Sequence, residues 1–205
     1  MEDILDIYAE SYHPDYPWVC FDEMPVQLIA ETRLPVACQP GRVQRIDYEY
    51  ERHGTANLFC FFQPLVGWRQ VKVTAQRTKV DFAHCMKQLV DEFYPDAKKI
   101  RIVLDNLNTH TPASLYQAFE PAEARRILRK LEFHYTPKHA SLLNMVEIEF
   151  SVLFGQCLDR RIPDVETLTA EIDAWQQQRN DDAATVNWQF NNTNARSKFK
   201  RLYPS

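Results

Sequence analysis

Three acidic residues have the surroundings of reacting groups. Asp22 follows the apolar run at 18–21, Asp105 ends "IRIVLD" at 100–105, and Glu147 lies in "LNMVEIEF" at 143–150. An acid that closes a buried strand has two readings. It caps a turn by bonding its own backbone, or it is a carboxylate held on a rigid platform. Two strand-end aspartates on neighbouring strands come within roughly 4–6 Å, where like charges push one pKa up. A hard divalent cation such as Mg²⁺ relieves that conflict through carboxylate oxygens. A third acid from a covering helix then completes a two-metal site, which stabilises both the attacking and the leaving oxygen of a phosphodiester displacement. The helix offers Glu147 and Glu149. Its apolar stripe is Leu143, Val146, Phe150, Leu153, Phe154 and Cys157. Glu147 sits roughly 70° and Glu149 roughly 90° from the stripe centre, on opposite flanks. Periodicity leaves that choice open, and both also read as salt-bridging residues at the stripe edge.

These acids need a scaffold. The pattern predicts strands at 17–23, 27–31, 55–65, 68–77, 100–105 and 131–137, with a Pro/Gly-punctuated loop or long hairpin at 34–54. Helical spacing predicts helices at 78–96, at 114–131 with a break near Pro121, at 142–161, at 164–181 with Asp164 as N-cap, and at 193–203. Strands first and then alternating helices and strands make an α/β protein, a mixed sheet flanked by helices. The strand–helix–strand unit over 68–105 should run its strands parallel if they share a sheet. Asp22 and Asp105 would then both lie at carboxyl ends of strands, where such sheets gather reacting groups.

The 205 residues suffice for one substantial core, and 45% hydrophobic with 25% charged residues is ordinary for a globular protein. The longest apolar run, Leu58 to Phe62, is far too short to span a bilayer. The acidic start "MEDILDIYAE" has no secretory pattern. Five scattered cysteines without a CxxC pair argue against zinc and disulfide frameworks and fit a reducing cytoplasm. A net charge of −4 argues mildly against a dedicated nucleic-acid binder. Local basic clusters matter more: Lys98, Lys99 and Arg101; Arg125, Arg126, Arg129 and Lys130; Lys198, Lys200 and Arg201.

"VCFDE", "VLDNLNTH", "YTPKHASLLNMVEIEFSVL" and the tail "VNWQF…ARSKFKRLYPS" together resemble the catalytic domain of mariner-like DDE transposases, in the branch carried by bacterial insertion sequences. The resemblance covers nearly the whole chain. It implies a ribonuclease-H-like fold and an acid triad holding Mg²⁺ or Mn²⁺. Carried over by motif, Asp22 is the first acid, Asp105 in "LDN" the second, and Glu147, three residues after Asn144, the third. Glu23 and Glu149 become neighbours. The implied reaction is hydrolysis of a phosphodiester at a transposon end, then attack of the freed 3′-hydroxyl on target DNA. The implied partners are double-stranded DNA and a second copy in the active complex, with no membrane. Residues 1–205 read as one catalytic domain, without the family's N-terminal helix–turn–helix region. It is expected to be cytoplasmic and on the nucleoid when bound to DNA.

Further residues carry weaker expectations. Lys138 and His139 lie in the loop before the Glu147 helix, near where a scissile phosphate would be. Arg125, Arg126 and Arg129 form a helix face that would track DNA phosphates without reading sequence. Asn106 and Asn144 either orient ligands or cap loops. His110 either polarises water or, the favoured reading, is a turn histidine without a partner, and Trp68, Trp175 and Trp188 read as core. Two rival functions remain: a ribonuclease-H-like nuclease, and a non-catalytic remnant that pairs with or inhibits a full-length transposase.

Overall fold

The structure is a computed structural model and describes all residues except Gln44, Ile46, His139 and 203–205. Five strands, β1 (Trp18–Glu31), β2 (Tyr50–Gln63), β3 (Trp68–Thr74), β4 (Ile100–Leu104) and β5 (Leu131–Tyr135), form one sheet in the order β3-β2-β1-β4-β5. β1 to β3 make an antiparallel meander, while β4 pairs parallel to β1 and β5 parallel to β4. β3, β1 and β4 therefore run in one direction, as the strand–helix–strand unit requires. The expected α/β architecture, a mixed sheet flanked by helices, is what the chain adopts.

Residue alternation sorts the sheet into two cores. Trp18, Cys20, Leu58, Cys60, Phe62 and Val103 face one side. There they meet α1 (Glu2–Tyr8), α5 (Val146–Leu153), α6 (Val165–Asp181) and α7 (Asn192–Lys198). Val19, Phe21, Phe59, Phe61, Ile102 and Leu104 face the other. That side is covered by α2 (Lys79–Gln88), α3 (Pro112–Ala118) and α4 (Pro121–Lys130). The period-two pattern means that β1 to β4 serve both cores at once, while β5 gives Leu131, Phe133 and Tyr135 to the second alone.

Helix ends follow local chemistry. Thr78 and Asp81 form a reciprocal capping box at the start of α2, and Asp164 accepts the Thr167 N–H at 2.7 Å to start α6. Pro112 and Pro121 each open a helix, which splits the expected 114–131 segment in two. α2 continues as a π turn over Leu89–Phe93 and α5 as another over Phe154–Leu158. Gly67 (φ +67°) turns β2 into β3, and a Cβ there would meet the Ala183 carbonyl carbon at 2.4 Å.

Several expectations are corrected. The segments 17–23 and 27–31 are one 14-residue strand with a register shift between Gln27 and Ile29. Asp22 therefore lies inside β1, not at a strand end. β4 pairs with β1 only over Trp18–Cys20, so Asp22 sits where the shorter neighbour stops. Tyr50–Gly54 belong to β2, and the remaining loop holds the bridges Val36–Arg45 and Gln39–Arg42. The helix expected from 142 begins at Val146 after a 3₁₀ turn over Ser141–Leu143. α1 was not anticipated. Trp175 is buried and Trp68 and Trp188 pack against the two cores, as expected. Among the described residues no helix is long and apolar enough to cross a membrane.

Candidate active site

Asp22, Asp105 and Glu147 come from three different elements and line one cavity of about 280 Å³ with Glu23, Met24, Leu107 and Arg77. Alternation aims Asp22 at the α5 side of the sheet, whereas Phe21 and Glu23 point to the α2 side. Asp105 follows β4 directly, and Glu147 stands in the first turn of α5. Asn144 ties these parts together. Its buried amide donates to Phe21 O at 2.9 Å and to Asp22 Oδ2 at 3.2 Å, and its Oδ1 accepts the Val146 N–H at 3.3 Å. Tyr8 adds a second tie by donating to Leu143 O at 2.6 Å. The start of α5 is thus fixed to β1 beside Asp22.

The electrostatics are those of crowded acids. Burial pushes the Asp22 carboxyl up to about 7, against the Glu23 N–H bond that lowers it, and Asp105, Glu23 and Glu147 add to the rise. Asp105 is held below the usual carboxylate value. Burial opposes this, but the contact with His110 and the Leu107 N–H outweigh it. The donor set is all oxygen, with no cysteine or histidine lining the cavity. That fits a hard cation such as Mg²⁺ or Mn²⁺ and not zinc or copper. Among the described residues no three histidine, cysteine or acidic side chains converge closely enough to hold an ion by themselves. The acids instead ring the cavity.

His110 is not a free turn residue. It is fully buried, with Nδ1 2.6 Å from Asp105 Oδ1 and Nε2 2.6 Å from Glu23 Oε2. Burial alone would lower its pKa, yet the two acids raise it to about 9, so it is an imidazolium at neutral pH. Glu149 is also buried. Its oxygens lie 3.1 Å from Arg69 Nε and 2.8 Å from Arg179 Nη2, away from the cavity. It is a salt-bridging residue, and Glu147 alone of the pair reaches the cavity.

The remaining candidates lie elsewhere. Lys138 is exposed in the loop before α5, and His139 falls outside the described residues. Arg125 and Arg129 are exposed on α4. Arg126 on the same helix is held by Asp91 and Glu123 at 2.7–2.8 Å. None of these side chains lines the cavity. Asn106 donates to Thr136 O at 2.6 Å and ties the β4 and β5 exits together. Arg77, which the sequence pattern did not single out, is the cation at the cavity wall. Its signal was its place between β3 and α2. A larger groove of about 800 Å³ beside the far half of β1 and Phe154–Arg161 holds no such gathering of acids.

A family model described as DDE superfamily endonuclease matches residues 17–169, which contain all three acids. The chain belongs to this family. The fold of this DDE endonuclease is similar to solved structures of the Mos1 mariner transposase. With the Mos1 mariner paired-end complex with Mn the TM-score is 0.59 at 16% identity, over 89% of this chain and 54% of that one. With the Mos1 strand transfer complex it is 0.53 at 13% identity, over 92% and 60%. With the Mos1 paired-end complex with Mg it is 0.50 at 13% identity, over 92% and 61%. The ribonuclease-H-like fold expected from the motifs is therefore the fold of this endonuclease. It spans a little over half the length of the Mos1 chains it matches. The comparison with curated protein sequences gave no match.

Proposed function

We propose that this chain is the metal-dependent catalytic domain of a mariner-like DNA transposase, of the kind carried by bacterial insertion sequences and acting in the cytoplasm. The observation that carries the reading is the cavity shared by Asp22, Asp105 and Glu147 within the family-matched segment. These three carboxylates would hold Mg²⁺ or Mn²⁺, the ions named for the Mos1 complexes of the same fold. When bound, the metal supplies Lewis-acid stabilisation of the charge that develops in phosphodiester displacement.

The chain's own residues do the rest. Asp22 and Asp105 are held by backbone N–H groups of Glu23 and Leu107 at 2.8 and 3.1 Å, so their orientation is set before any substrate arrives. Glu147 approaches from α5, whose start Asn144 locks to β1. Arg77 is placed at the same wall to meet a phosphate oxygen, the one charge type that an acid-lined cavity otherwise repels. Lys138, Arg125 and Arg129 remain available for salt-dependent backbone contacts outside the cavity. The substrates would be transposon ends and target DNA, and the active complex a pair of such chains.

The test is a strand-transfer assay with pre-cut DNA ends in Mn²⁺. Wild type should join the ends to target, and Asp105→Asn should lose the product. Nicking without joining would point to a plain nuclease. Unchanged joining by Asp105→Asn would sink the reading.

A further inference from the structure

Glu23 raises a question that the acid triad does not answer. Its side chain is 3% exposed, it points to the α2 side of the sheet, and neither carboxylate oxygen has a well-formed hydrogen bond among the described residues. A buried carboxylate costs several kcal/mol unless it is paired, and an apolar residue of similar volume is often as stable or more so. Packing gives no reason for an acid there. Its partner does. Glu23 Oε2 lies 2.6 Å from His110 Nε2, and the other ring nitrogen lies 2.6 Å from Asp105 Oδ1.

The imidazole is gripped from all sides. Phe82 lies against it, tilted by 35° with 4.9 Å between ring centroids, and Phe21 meets it edge-on at 5.4 Å. The Tyr135 hydroxyl donates to His110 O at 2.8 Å, and His110 N–H returns to Leu107 O at 3.0 Å. Leu107 N–H in turn donates to Asp105 Oδ1 at 3.1 Å. Oδ1 is therefore engaged twice, by the ring and by the backbone. Oδ2 has no protein partner among the described residues, and Asp105 lines the cavity.

We propose that His110, backed by Glu23, is a positioning residue that pins Oδ1 of Asp105 and so presents Oδ2 to the metal. The consecutive acids of "FDE" then have separate jobs on opposite faces of β1. Asp22 faces the cavity, and Glu23, buried at the cavity's edge, holds the histidine that aims the second acid. The proposal rests on Asp105 being a metal ligand, so the test must separate the two claims.

The experiment is Mn²⁺ titration by calorimetry of wild type, Asp105→Asn, His110→Asn and Glu23→Gln, each also melted in chelator. Glu23→Gln keeps the volume and is the variant that guards against a His110→Asn chain that does not fold. The positioning role predicts that Asp105→Asn loses the Mn²⁺ heat and that the other two bind about 10–100-fold more weakly. A merely structural role would lower the melting temperature in chelator and leave Mn²⁺ affinity where it was. That outcome, with Asp105→Asn still losing the heat, overturns the positioning role alone. Equal binding by Asp105→Asn and wild type overturns the metal site itself, and the positioning role with it.

Discussion

Glu147 and Glu149 leave the same helix two residues apart and meet opposite fates. Glu149 is 1% exposed and lies between the guanidinium groups of Arg69 and Arg179. Glu147 is exposed and joins Asp22 and Asp105 around a cavity whose charges are mostly alike. The first arrangement is what a fold does with a buried acid when stability is the only demand: it supplies cations. The second leaves repulsion in place beside a core. A gathering of acids that the fold neutralises only in part, through His110 at Asp105 and Arg77 at the wall, marks a place where something else is to complete the task. The variants below would break or sharpen that contrast.

The largest effect belongs to the paired acid. Glu149→Ala leaves Arg69, itself fully buried, without its partner, at a cost of about 3–5 kcal/mol. Denaturant unfolding should show a lower midpoint with an unchanged slope. A variant as stable as wild type would mean that Asn180 and Ala184, which also hold Arg69, suffice without the acid. The unpaired acid should behave in reverse. Glu147→Gln should shift stability by less than about 0.5 kcal/mol, as exposed substitutions do. It should lower Mn²⁺-dependent cleavage of DNA ends by about 10²–10³-fold, the equivalent of several kcal/mol of lost charge stabilisation. Loss of stability without loss of cleavage would reverse the roles assigned to the two glutamates.

Asp22 tests the strain in the cavity. Asp22→Asn removes one of the like charges while keeping a group of the same shape. At neutral pH in chelator the variant should melt higher than wild type, by the equivalent of about 1–2 kcal/mol. In Mn²⁺ the order should invert, because the wild type gains the ion's binding energy and the variant does not. Thermal melting in both conditions is sufficient. A variant that melts lower in chelator would show that the bonds from Glu23 N–H and Asn144 outweigh the repulsion.

Much of this was legible in the residues, and the failures have physical causes. Alternating apolar runs marked the strands, and Pro112, Pro121, Thr78 and Asp164 marked helix starts by local chemistry that tertiary packing did not override. β1 was split because Pro25 interrupts it, yet β1 has no β4 neighbour at that point, and a free edge tolerates proline. That error misplaced Asp22 at a strand end while leaving its level in the sheet correct. Glu147 could not be separated from Glu149 by angle around the helix. What separates them is Arg69 on β3 and Arg179 on α6, and no local pattern encodes which acid those arginines meet. His110 was missed for the same reason. Its partner Asp105 is five residues away, but Glu23 comes from another strand. α1 had its signal in Ile4, Leu5, Ile7 and Tyr8, at helical spacing, masked by the acids between them.

The smallest effect concerns a cation that sequence alone would assign to DNA. Arg126 donates to Asp91 and Glu123, and Lys87 reaches the same pair. Chiefly through Arg126, both acids are held down to about 2. A carboxylate whose folded value is depressed adds stability above its unfolded value near 4 and loses it as pH falls through the folded value. The network should therefore contribute fully near neutrality, though the amount is small because the pairs are exposed. That contribution should fade as pH drops from about 4 towards 2 and the acids protonate. Arg126→Ala should melt slightly below wild type at pH 7, the gap should close as pH falls from about 4 towards 2, and high salt should shrink it. Its affinity for DNA at neutral pH should match wild type, while Lys138→Ala, whose amine has no partner among the described residues, should weaken binding and flatten its salt dependence. If Arg126→Ala weakened DNA binding as much as Lys138→Ala, an intramolecular ion network would not keep a cation from the nucleic acid, and paired and unpaired charges would no longer sort by role in this fold.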